Sequence, residues 1–273
     1  MGSTTRLTIS PYRRNDWRSV MLISAANLEA TNAGVGMSGS KSDSGKPLRR
    51  AVRTVGEILI TAGVVLLLFV GWQLWWTDIL AGRAQAQTRD QLEQQWQSDG
   101  PIDTDTVDTD IKTEYGEPFG LLYVPRLGDR AWKVPIIQGT EHSLLANGVG
   151  HHVNSALPGQ LGNFAIAGHR TTYGAPFADI DALKPGDEVV VETRKGWFIY
   201  ELDRDKIISA TDGWVLDPVP GRPAGSQPRQ ALLTMYACHP KYSAAERYVW
   251  FGELRDEIPR SSGKPVQLNR AGN

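Results

Sequence analysis

The stretch EVVVETRKGWFIYEL, residues 188–202, decides the fold class. It holds two short runs of valine, isoleucine and aromatic residues, which are the side chains enriched in strands. Arg194–Lys195–Gly196 stands between the two runs as a turn. The stretch therefore predicts a β-hairpin, with each run of strand length and with glycine at the turn.

Runs of the same kind continue on both sides of this hairpin, from about residue 119 to residue 258. They are GLLYVP, WKVPIIQ, NFAIAGH, KIISAT, ALLTMYAC and RYVWFGEL, separated by turns rich in glycine, proline, asparagine and aspartate. Helical pieces are few, at about 141–146 and 176–183. We predict an all-β barrel or sandwich of about eight strands with short helices. Residues 259–273 are predicted to form a C-terminal tail, which is expected to be frayed over 261–273.

Upstream of this domain stands an uncharged apolar run, ILITAGVVLLLFVGWQLWW, at residues 58–76. At a rise of about 1.5 Å per residue, a helix of this length crosses most of a hydrocarbon core of roughly 30 Å. Four basic residues precede the run and three tryptophans end it, which predicts a cytoplasmic N-terminus and an extracellular domain. We therefore predict a single-pass transmembrane helix at residues 55–79 in the cell membrane. A cleaved signal peptide is the alternative, because AGRAQAQ at 81–87 offers small residues.

The segments on either side of this predicted anchor are polar. Residues 1–54 carry nine lysines and arginines against three acids, and are predicted to be a disordered cytoplasmic tail. Residues 80–118 are predicted to be a helical stalk followed by a solvated acidic linker. The acids of DTDTVDTD, residues 103–110, would also suit a Ca²⁺ loop, but the required glycine and closing acid are missing. The formal net charge of −1 predicts no nucleic-acid partner.

Cys238 is the one cysteine of the chain and closes an apolar run just ahead of His239–Pro240. Arg247 begins the next run, so antiparallel pairing of the two runs would bring the thiol opposite the guanidinium. A nearby guanidinium favours the thiolate, which is the nucleophilic form. A thiol nucleophile also needs a base or an ion-pair partner. His169, which ends the run NFAIAGH, is the candidate.

Interpretations of these residues without a catalytic role stay open at this point. Cys238 could be a buried, inert thiol, and His169 could be a satisfied histidine at a strand end. His151–His152 lie in a loop flanked by glycine and asparagine, which predicts a surface or supporting place. A zinc site has little support, because the chain has one cysteine and neither a CxxC nor an HxxxH spacing.

Three segments, in this order, resemble the sortases, the cysteine transpeptidases of Gram-positive bacteria. They are GQLGNFAIAGHRTTYGAPF at 159–177, ALLTMYACHP at 231–240 and ERYVWFGEL at 246–254. In that family a histidine closes one strand, a cysteine closes a later strand and an arginine follows on the next. The segments GHRTTYGAPF and CHPKYSAAERY and the tryptophan-rich anchor are most similar to the actinobacterial class E group. The resemblance covers residues 119–258 and implies an eight-stranded sortase-type β-barrel.

The resemblance also implies an activity. Its catalytic set would be His169, Cys238 and Arg247, acting on an LPxTG-like or LAxTG-like sorting signal of a secreted protein. Cys238 would cleave the signal between Thr and Gly, and an amine of a peptidoglycan precursor would resolve the thioacyl intermediate. No metal and no organic cofactor is implied. The alternatives are pilin polymerisation or hydrolysis by the same triad, or a membrane-tethered β-domain that binds peptides without catalysis.

One position departs from the family pattern. The family's T-L-x-T-C is here Thr234-Met235-Tyr236-Ala237-Cys238, with alanine in place of threonine before the cysteine. The missing hydroxyl predicts an altered substrate preference or rate with the chemistry retained.

A substrate groove is expected beside the catalytic set. Thr234, Tyr236 and Ala237 are its candidate residues on the cysteine strand, and Thr171, Thr172 and Tyr173 are candidates beside the histidine. The loop at 211–230 carries four prolines and three glycines. The corresponding segment of a sortase walls the peptide groove, so this loop is predicted to set specificity.

Overall fold

The computed structural model describes residues 46–98, 107 and 111–269 of the chain. The chain divides into two units, residues 1–57 and 58–273, and the second unit contains the whole β domain. Most of the predicted cytoplasmic tail and most of the acidic segment with the possible Ca²⁺ loop lie outside the described residues.

One uninterrupted helix, α1, spans Lys46–Ser98. Its stretch Leu48–Trp72 has a mean hydropathy of 2.2 and is 0% buried, so by length and composition it could cross a membrane. The helix begins nine residues before the predicted boundary at residue 55, because the basic residues ahead of the apolar run are themselves helical. It also includes the predicted stalk.

Eight strands follow α1 and close into a barrel in the order β1-β2-β3-β4-β7-β8-β6-β5. The strands are β1 Pro118–Tyr123, β2 Trp132–Gln138, β3 Val149–His151, β4 Gly162–Ala167, β5 Glu188–Glu192, β6 Gly196–Ser209, β7 Ala231–His239 and β8 Glu246–Pro259. The helices outside α1 are short: α2 at His142–Leu145 and 3₁₀ turns at Pro125–Ala131, Ile180–Ala182, Gly213–Leu216, Arg260–Ser262 and Val266–Leu268. The predicted all-β barrel with short helices is confirmed.

Two parallel pairs interrupt an otherwise antiparallel barrel. β2 pairs with β3 and β4 pairs with β7 in parallel, and a parallel pair needs a long crossover. The crossover from β4 to β7 carries the β5–β6 hairpin and the proline-rich loop. It therefore brings the ends of two strands that are far apart in sequence to one edge of the barrel.

The alternation of side chains along each strand separates the barrel core from its outer face. In β5, Val189 and Val191 point into the main core, whereas Val190 belongs to a second apolar cluster outside the barrel. That outer cluster also holds Leu92 of α1 and Leu268 near the C-terminus, both 2% exposed. The stalk part of α1 and the C-terminal segment thus pack on the same outer face of the barrel.

The burial of Leu268 corrects one expectation. Residues 261–273 were predicted to be frayed, but the described part of this segment forms two 3₁₀ turns, and Pro265 and Leu268 are buried. The segment is polar in sequence, so two isolated apolar residues gave little signal. Leu268 is ordered because it packs in the outer cluster, a contact that local sequence does not reveal.

Two strands differ from those predicted. The runs WFIYELD and KIISAT form one strand, β6, because the charged residues 204–206 stay paired with β8 after an irregularity at residue 203, while their side chains are exposed. The barrel still has eight strands because β3, which was not predicted, is present. It has three residues and lies in a glycine-containing segment that was predicted to be a loop.

Candidate active site

The end of β4 lies level with the end of β7. Ala167 pairs with Tyr236 in the parallel register, and the Gly168 amide donates to the Tyr236 carbonyl at 3.1 Å. His169 and Cys238 each follow this pair by two residues, so both leave the same end of the β4–β7 pair. Since neighbouring strands lie about 4.8 Å apart, the two residues lie at one edge of the barrel.

Arg247 completes this edge from the other side. It is the antiparallel partner of Cys238 in the β7–β8 register, and directly opposed residues have Cα atoms about 4.5–5.5 Å apart. The predicted antiparallel pairing of residues 238 and 247 is therefore confirmed. The Arg247 Nη1 donates to the carbonyl oxygens of Ala244 and Glu246 at 2.9 Å each. We call the edge formed by His169, Cys238 and Arg247 the active-site rim.

The backbone at His169 is held by a close approach just before it. A Cβ added at Gly168 would lie 2.6 Å from the ring of Phe177, which is fully buried. The Phe177 amide also donates to the His169 carbonyl at 3.1 Å. Only glycine fits at residue 168 without moving this ring, so the packing fixes where the histidine leaves the strand.

The His169 ring is half-buried among aromatic rings. Its centroid lies 5.1 Å from that of His142 and 5.0 Å from that of Tyr173. Burial first, and the charge of His142 second, lower the pKa of His169 from its ordinary value. Within the described part of the chain, its Nε2 is buried without a hydrogen-bond partner. That nitrogen is available to exchange a proton with a ligand.

Arg170 lies beside these groups and was not among the predicted site residues. Its side chain is 2% exposed and pairs with Asp181 at 2.7 Å. Its Nη1 lies 2.9 Å from the ring Nδ1 of His239 and 3.4 Å from the carbonyl oxygen of Cys238. This buried cation joins the loop after His169 to the end of β7. The one indication in the sequence that Arg170 belongs to the site was its position directly after the candidate histidine. An arginine at that position is equally compatible with the protein surface.

The Arg170–Asp181 pair leads to a stability prediction. Asp181→Asn removes the charge that compensates a buried guanidinium, which costs about 3–5 kcal/mol for a fully buried pair. Because the Asp181 side chain is 47% exposed, solvent screens part of this, and we expect a loss of about 1–3 kcal/mol. Denaturant unfolding of the full chain in detergent measures it.

Asp179→Asn is the matched control for this prediction. Asp179 pairs with Lys241 at 2.9 Å, but both side chains are largely exposed, so its loss should cost less than about 1 kcal/mol. Equal destabilisation by the two variants would contradict the buried-cation interpretation of Arg170.

His151 and His152 occupy different places from the predicted loop. His151 lies in β3, is fully buried and bonds the Gln138 side chain at 2.7 Å, and burial lowers its pKa to about 4. The His152 Nε2 lies 2.5 Å from the hydroxyl of Tyr236. Burial lowers the pKa of His152 and raises that of Tyr236 to about 12, so the tyrosine hydroxyl donates to a neutral imidazole. His152 thus supports Tyr236 beside the rim.

The cysteine strand divides its predicted groove residues between two faces. Leu233, Met235 and Ala237 belong to the barrel core, so Tyr236 and Cys238 point to the opposite, outer face. Ala237 is 2% exposed and has no path to a peptide outside the barrel. Its methyl group fills core space, so the departure from the family's threonine concerns packing. Thr234 shares the outer face but is fully covered.

The cover over that outer face is the proline-rich loop. The Asn163 Nδ2 on β4 donates to the carbonyl oxygens of Val215 and Asp217, at 2.9 and 3.1 Å. Val215 also packs with Ile208, Val249 and Phe251 in a separate apolar cluster. A cavity of about 170 Å³ stays open between this loop, Tyr236 and Arg247. We call it the rim cavity.

The predicted residues after His169 line the other side of the rim. Thr171 is exposed, while Thr172 and Tyr173 are partly buried. Tyr173 touches the imidazole of His169, so it is the member of this group with a direct contact to the site. Among the described residues there is no cluster of three or more histidine, cysteine or acidic side chains that could hold a metal ion.

Comparison with known proteins decides the family. The family model for the sortase domain matches residues 122–255. Sortase SrtE2 of Streptomyces coelicolor is 33% identical over 232 residues, which cover 81% of this chain and 88% of that protein. The chain belongs to the sortase family. Members of this family are cysteine transpeptidases.

Two further comparisons fit the predicted class E resemblance. Sortase SrtE1 of Streptomyces coelicolor is 37% identical over 226 residues. The alignment covers 80% of the present chain but only 61% of the length of SrtE1. The crystal structure of sortase E1 from Streptomyces coelicolor with a tripeptide in the active site is 35% identical, with a TM-score of 0.51, covering 57% of this chain and 99% of that one. The sequence-based assignment to the sortases, nearest class E, is confirmed.

Proposed function

We propose that this sortase is a membrane-anchored transpeptidase that cleaves an LPxTG-like or LAxTG-like sorting signal between Thr and Gly. It would then join the secreted protein to an amine of a peptidoglycan precursor. The observation that carries the proposal is the register of β4, β7 and β8. It brings the strand ends that carry or precede His169, Cys238 and Arg247 to one edge of the barrel, and these three residues supply the set of groups that covalent acyl transfer needs.

In the first half-reaction the Cys238 thiolate attacks the threonine carbonyl carbon, and the C–S bond forms as the carbonyl π electrons move to oxygen. Arg247 donates to that oxyanion and to the substrate backbone. When the tetrahedral intermediate collapses, the C–N bond to glycine breaks and the His169 imidazolium gives its proton to the leaving amine. The products are a thioacyl enzyme and a peptide with a free glycine N-terminus.

In the second half-reaction the acceptor amine attacks the thioester carbonyl. Neutral His169 takes the proton that the amine loses, a new C–N bond forms, and the C–S bond breaks to release the Cys238 thiolate. The thioester keeps the acyl group activated until the amine arrives. Each side chain ends in the state in which it began, so no reductant, oxidant or cofactor enters the cycle.

The lowered pKa of His169 sets the pH dependence of this mechanism. The first half-reaction needs thiolate and imidazolium together, and we assign the acidic limb of kcat/KM to His169, whose pKa burial lowers. His142→Phe keeps a ring at 5.1 Å but removes its charge. Because that charge lowers the pKa of His169, the acidic limb should move to higher pH. Burial, the larger cause, remains, so the shift should be less than about one unit.

Peptide turnover by full-length protein across pH 4–9 measures this limb, and NMR titration of the His169 ring checks its assignment. As a control, His142→Phe in a Cys238→Ala background should leave the affinity for the peptide unchanged, which would show that the substrate groove is intact. A limb that stays in place, or moves to lower pH, would contradict the role given to His142.

The groove for the sorting signal would run along the rim cavity. Tyr236 is held by His152 and faces the cavity together with Arg247. The loop at 211–230 closes one side, and Thr171, Thr172 and Tyr173 border the other. Thr234 lies beneath this surface as support. The tripeptide in the active site of the Streptomyces coelicolor enzyme favours a short extended peptide as the ligand here as well.

The apolar part of α1 favours a single-pass anchor, with the basic N-terminal side in the cytoplasm and the barrel outside. Its 0% burial argues for lipid contact, because a core helix of a soluble protein would be covered. Secreted proteins with a C-terminal sorting signal and the peptidoglycan amine would then both meet the enzyme at the outer membrane surface.

The test is to incubate full-length protein in detergent with LPxTG and LAxTG peptides, with and without an amine acceptor. Mass spectrometry should find a thioacyl adduct on Cys238 and, with the acceptor, a transpeptidation product. Binding of a peptide by folded protein without any adduct would favour the peptide-binding domain. Release of the free acid at the same rate with and without acceptor would favour hydrolysis.

A further inference from the structure

Three consecutive residues in the loop after His169 have left-handed backbone conformations, which are sterically unfavourable for residues other than glycine. Tyr173, Gly174 and Ala175 have φ values of 54°, 75° and 42°. Glycine adopts this left-handed region without steric cost, whereas Tyr173 and Ala175 adopt it against the repulsion of their Cβ atoms. Such a run persists only where contacts from outside the loop hold it.

The second half of this loop is held by the barrel itself. The Ala175 amide donates to the Thr172 carbonyl at 3.0 Å. Ala175 is 4% exposed, and Phe177 after it is fully buried. These contacts fix the chain from residue 175 onwards and do not involve the Tyr173 carbonyl.

The contact that holds Tyr173 comes from α1. The Gln85 Nε2 donates to the Tyr173 carbonyl oxygen at 3.0 Å across 88 residues of sequence. The same amide lies 3.3 Å from where a Cβ of residue 174 would stand, so glycine there leaves room for the glutamine to reach the carbonyl. The left-handed turn and the glutamine therefore fit each other.

The stalk part of α1 is firmly seated where it makes this contact. Leu92 is 2% exposed and packs with Trp96 in the outer apolar cluster. Glu93 forms an ion pair with Lys133 at 2.5 Å. These residues follow Gln85 by two to three helical turns, so the barrel fixes the helix and the helix presents the glutamine to the loop.

The loop conformation in turn sets the surroundings of the candidate acid and base. It turns the Tyr173 ring against the His169 ring at 5.0 Å and against the His142 ring at 5.5 Å. This ring excludes water from one side of the imidazole. The other titratable or charged groups around His169 are His142 on α2, Cys238 on β7, Arg247 on β8 and Arg170 on the loop itself.

We propose that Gln85 is a positioning residue for catalysis, and that α1 thereby forms part of the active site: by holding the Tyr173 carbonyl, Gln85 keeps the Tyr173 ring packed on His169. The proposal rests on the proton-transfer role given to His169 above. It assigns a function in the reaction to the helix that leads out of the membrane, whereas the family's catalytic set lies entirely within the barrel.

Gln85→Met tests this, because it keeps the length of the side chain but removes the donor. Without the hydrogen bond the strained turn relaxes, and the imidazole gains contact with water. The acidic limb of kcat/KM should then move to higher pH, because burial is the main cause of the lowered pKa of His169. We expect kcat to fall by about tenfold, within the roughly 10²-fold that a 1 Å misplacement costs, with KM little changed.

Gln91→Met is the matched control, because Gln91 lies on the same helix and is exposed. It should leave the pH profile and kcat as in the parent protein. Tyr173→Ala supplies the second arm of a double-mutant cycle. If Gln85 acts through the Tyr173 ring, Gln85→Met should have no further effect on the acidic limb once that ring is absent.

The measurements use the full-length chain in detergent or nanodiscs. An NMR titration of the His169 ring is made alongside the kinetics. A Gln85→Met protein whose acidic limb and His169 titration match the parent would overturn the proposal, as would additive effects with Tyr173→Ala. The NMR titration does not depend on turnover, so a shifted His169 in a protein without acyl transfer would refute the proposed function and leave the contact standing.

Discussion

Replacing Cys238 with alanine is expected to abolish acyl transfer and leave the barrel intact. The thiol is the nucleophile of the proposed reaction, and loss of a nucleophile of this kind lowers kcat on the order of 10⁴-fold or more. Cys238 is partly exposed at the end of β7, so removing its sulfur opens no cavity in the core. Mass spectrometry for the thioacyl adduct, turnover of a fluorescent peptide and thermal unfolding together measure the result.

The chain has a single cysteine, which gives this prediction an internal control. A thiol-reactive probe added to the parent protein reports Cys238 alone, and no second labelling site complicates the rate. His169→Ala should leave the cysteine available to the probe but block peptide turnover. Peptide turnover by Cys238→Ala at more than about a thousandth of the parent rate would rule out covalent catalysis by this residue.

Arg247→Gln should lower kcat by about 10²–10³-fold, the usual cost of losing one oxyanion donor. Arg247→Lys keeps the charge but loses the planar fork that can bind backbone and oxyanion together, so it should recover only part of the rate. The fold should tolerate both changes, because the side chain is only partly buried and its recorded bonds go to backbone oxygens of its own loop. Steady-state kinetics with a sorting-signal peptide measure the loss.

Arg255→Gln provides the matched control on the same strand. Arg255 and its partner Glu201 are both largely exposed, at 3.4 Å, and Arg255 lies eight residues along β8 from Arg247. Its substitution should change kcat by less than about twofold, as expected of an exposed ion pair. If Arg247→Gln were as active as Arg255→Gln, Arg247 would have no part in stabilising the transition state.

The sequence was most informative where local patterns and long-range structure agree. The β5–β6 hairpin follows from two short apolar runs with a glycine between them. The predicted turn residue Gly196 is in fact the first residue of β6, a shift of one position. The pairing of Cys238 with Arg247 follows from the short loop between their strands, because parallel strands need a long crossover and a short connection therefore favours antiparallel pairing.

The features that were missed all depend on contacts between distant segments. β3 is too short to show alternation, and it exists because β2 and β4 lie on either side to pair with it. The inward direction of Ala237 depends on the phase of β7 relative to the barrel, and a shift of one residue would reverse it. The burial of Arg170 requires Asp181 from a later turn, which no spacing predicts.

The stalk illustrates the same limit. Its polar composition predicted a helical stalk, and it is one, but one face carries the partly or fully buried residues Ala81, Gln85, Leu92 and Trp96. These residues recur at spacings of four, seven and four, which is the period of one helix face. With only two large apolar members the stripe is weak, and the sequence alone did not say that the barrel supplies the other half of the contact.

The continuity of α1 has a consequence for where the enzyme can work. Between Trp72, at the end of the apolar stretch, and Gln85, beside the rim, the helix rises through 13 residues, or about 20 Å. If the apolar stretch spans the membrane as proposed, the docked stalk would hold the barrel, and with it the thiol, at a set height above the bilayer. Acceptors that are still lipid-linked would then fall within that reach, whereas amines deep in finished wall would not.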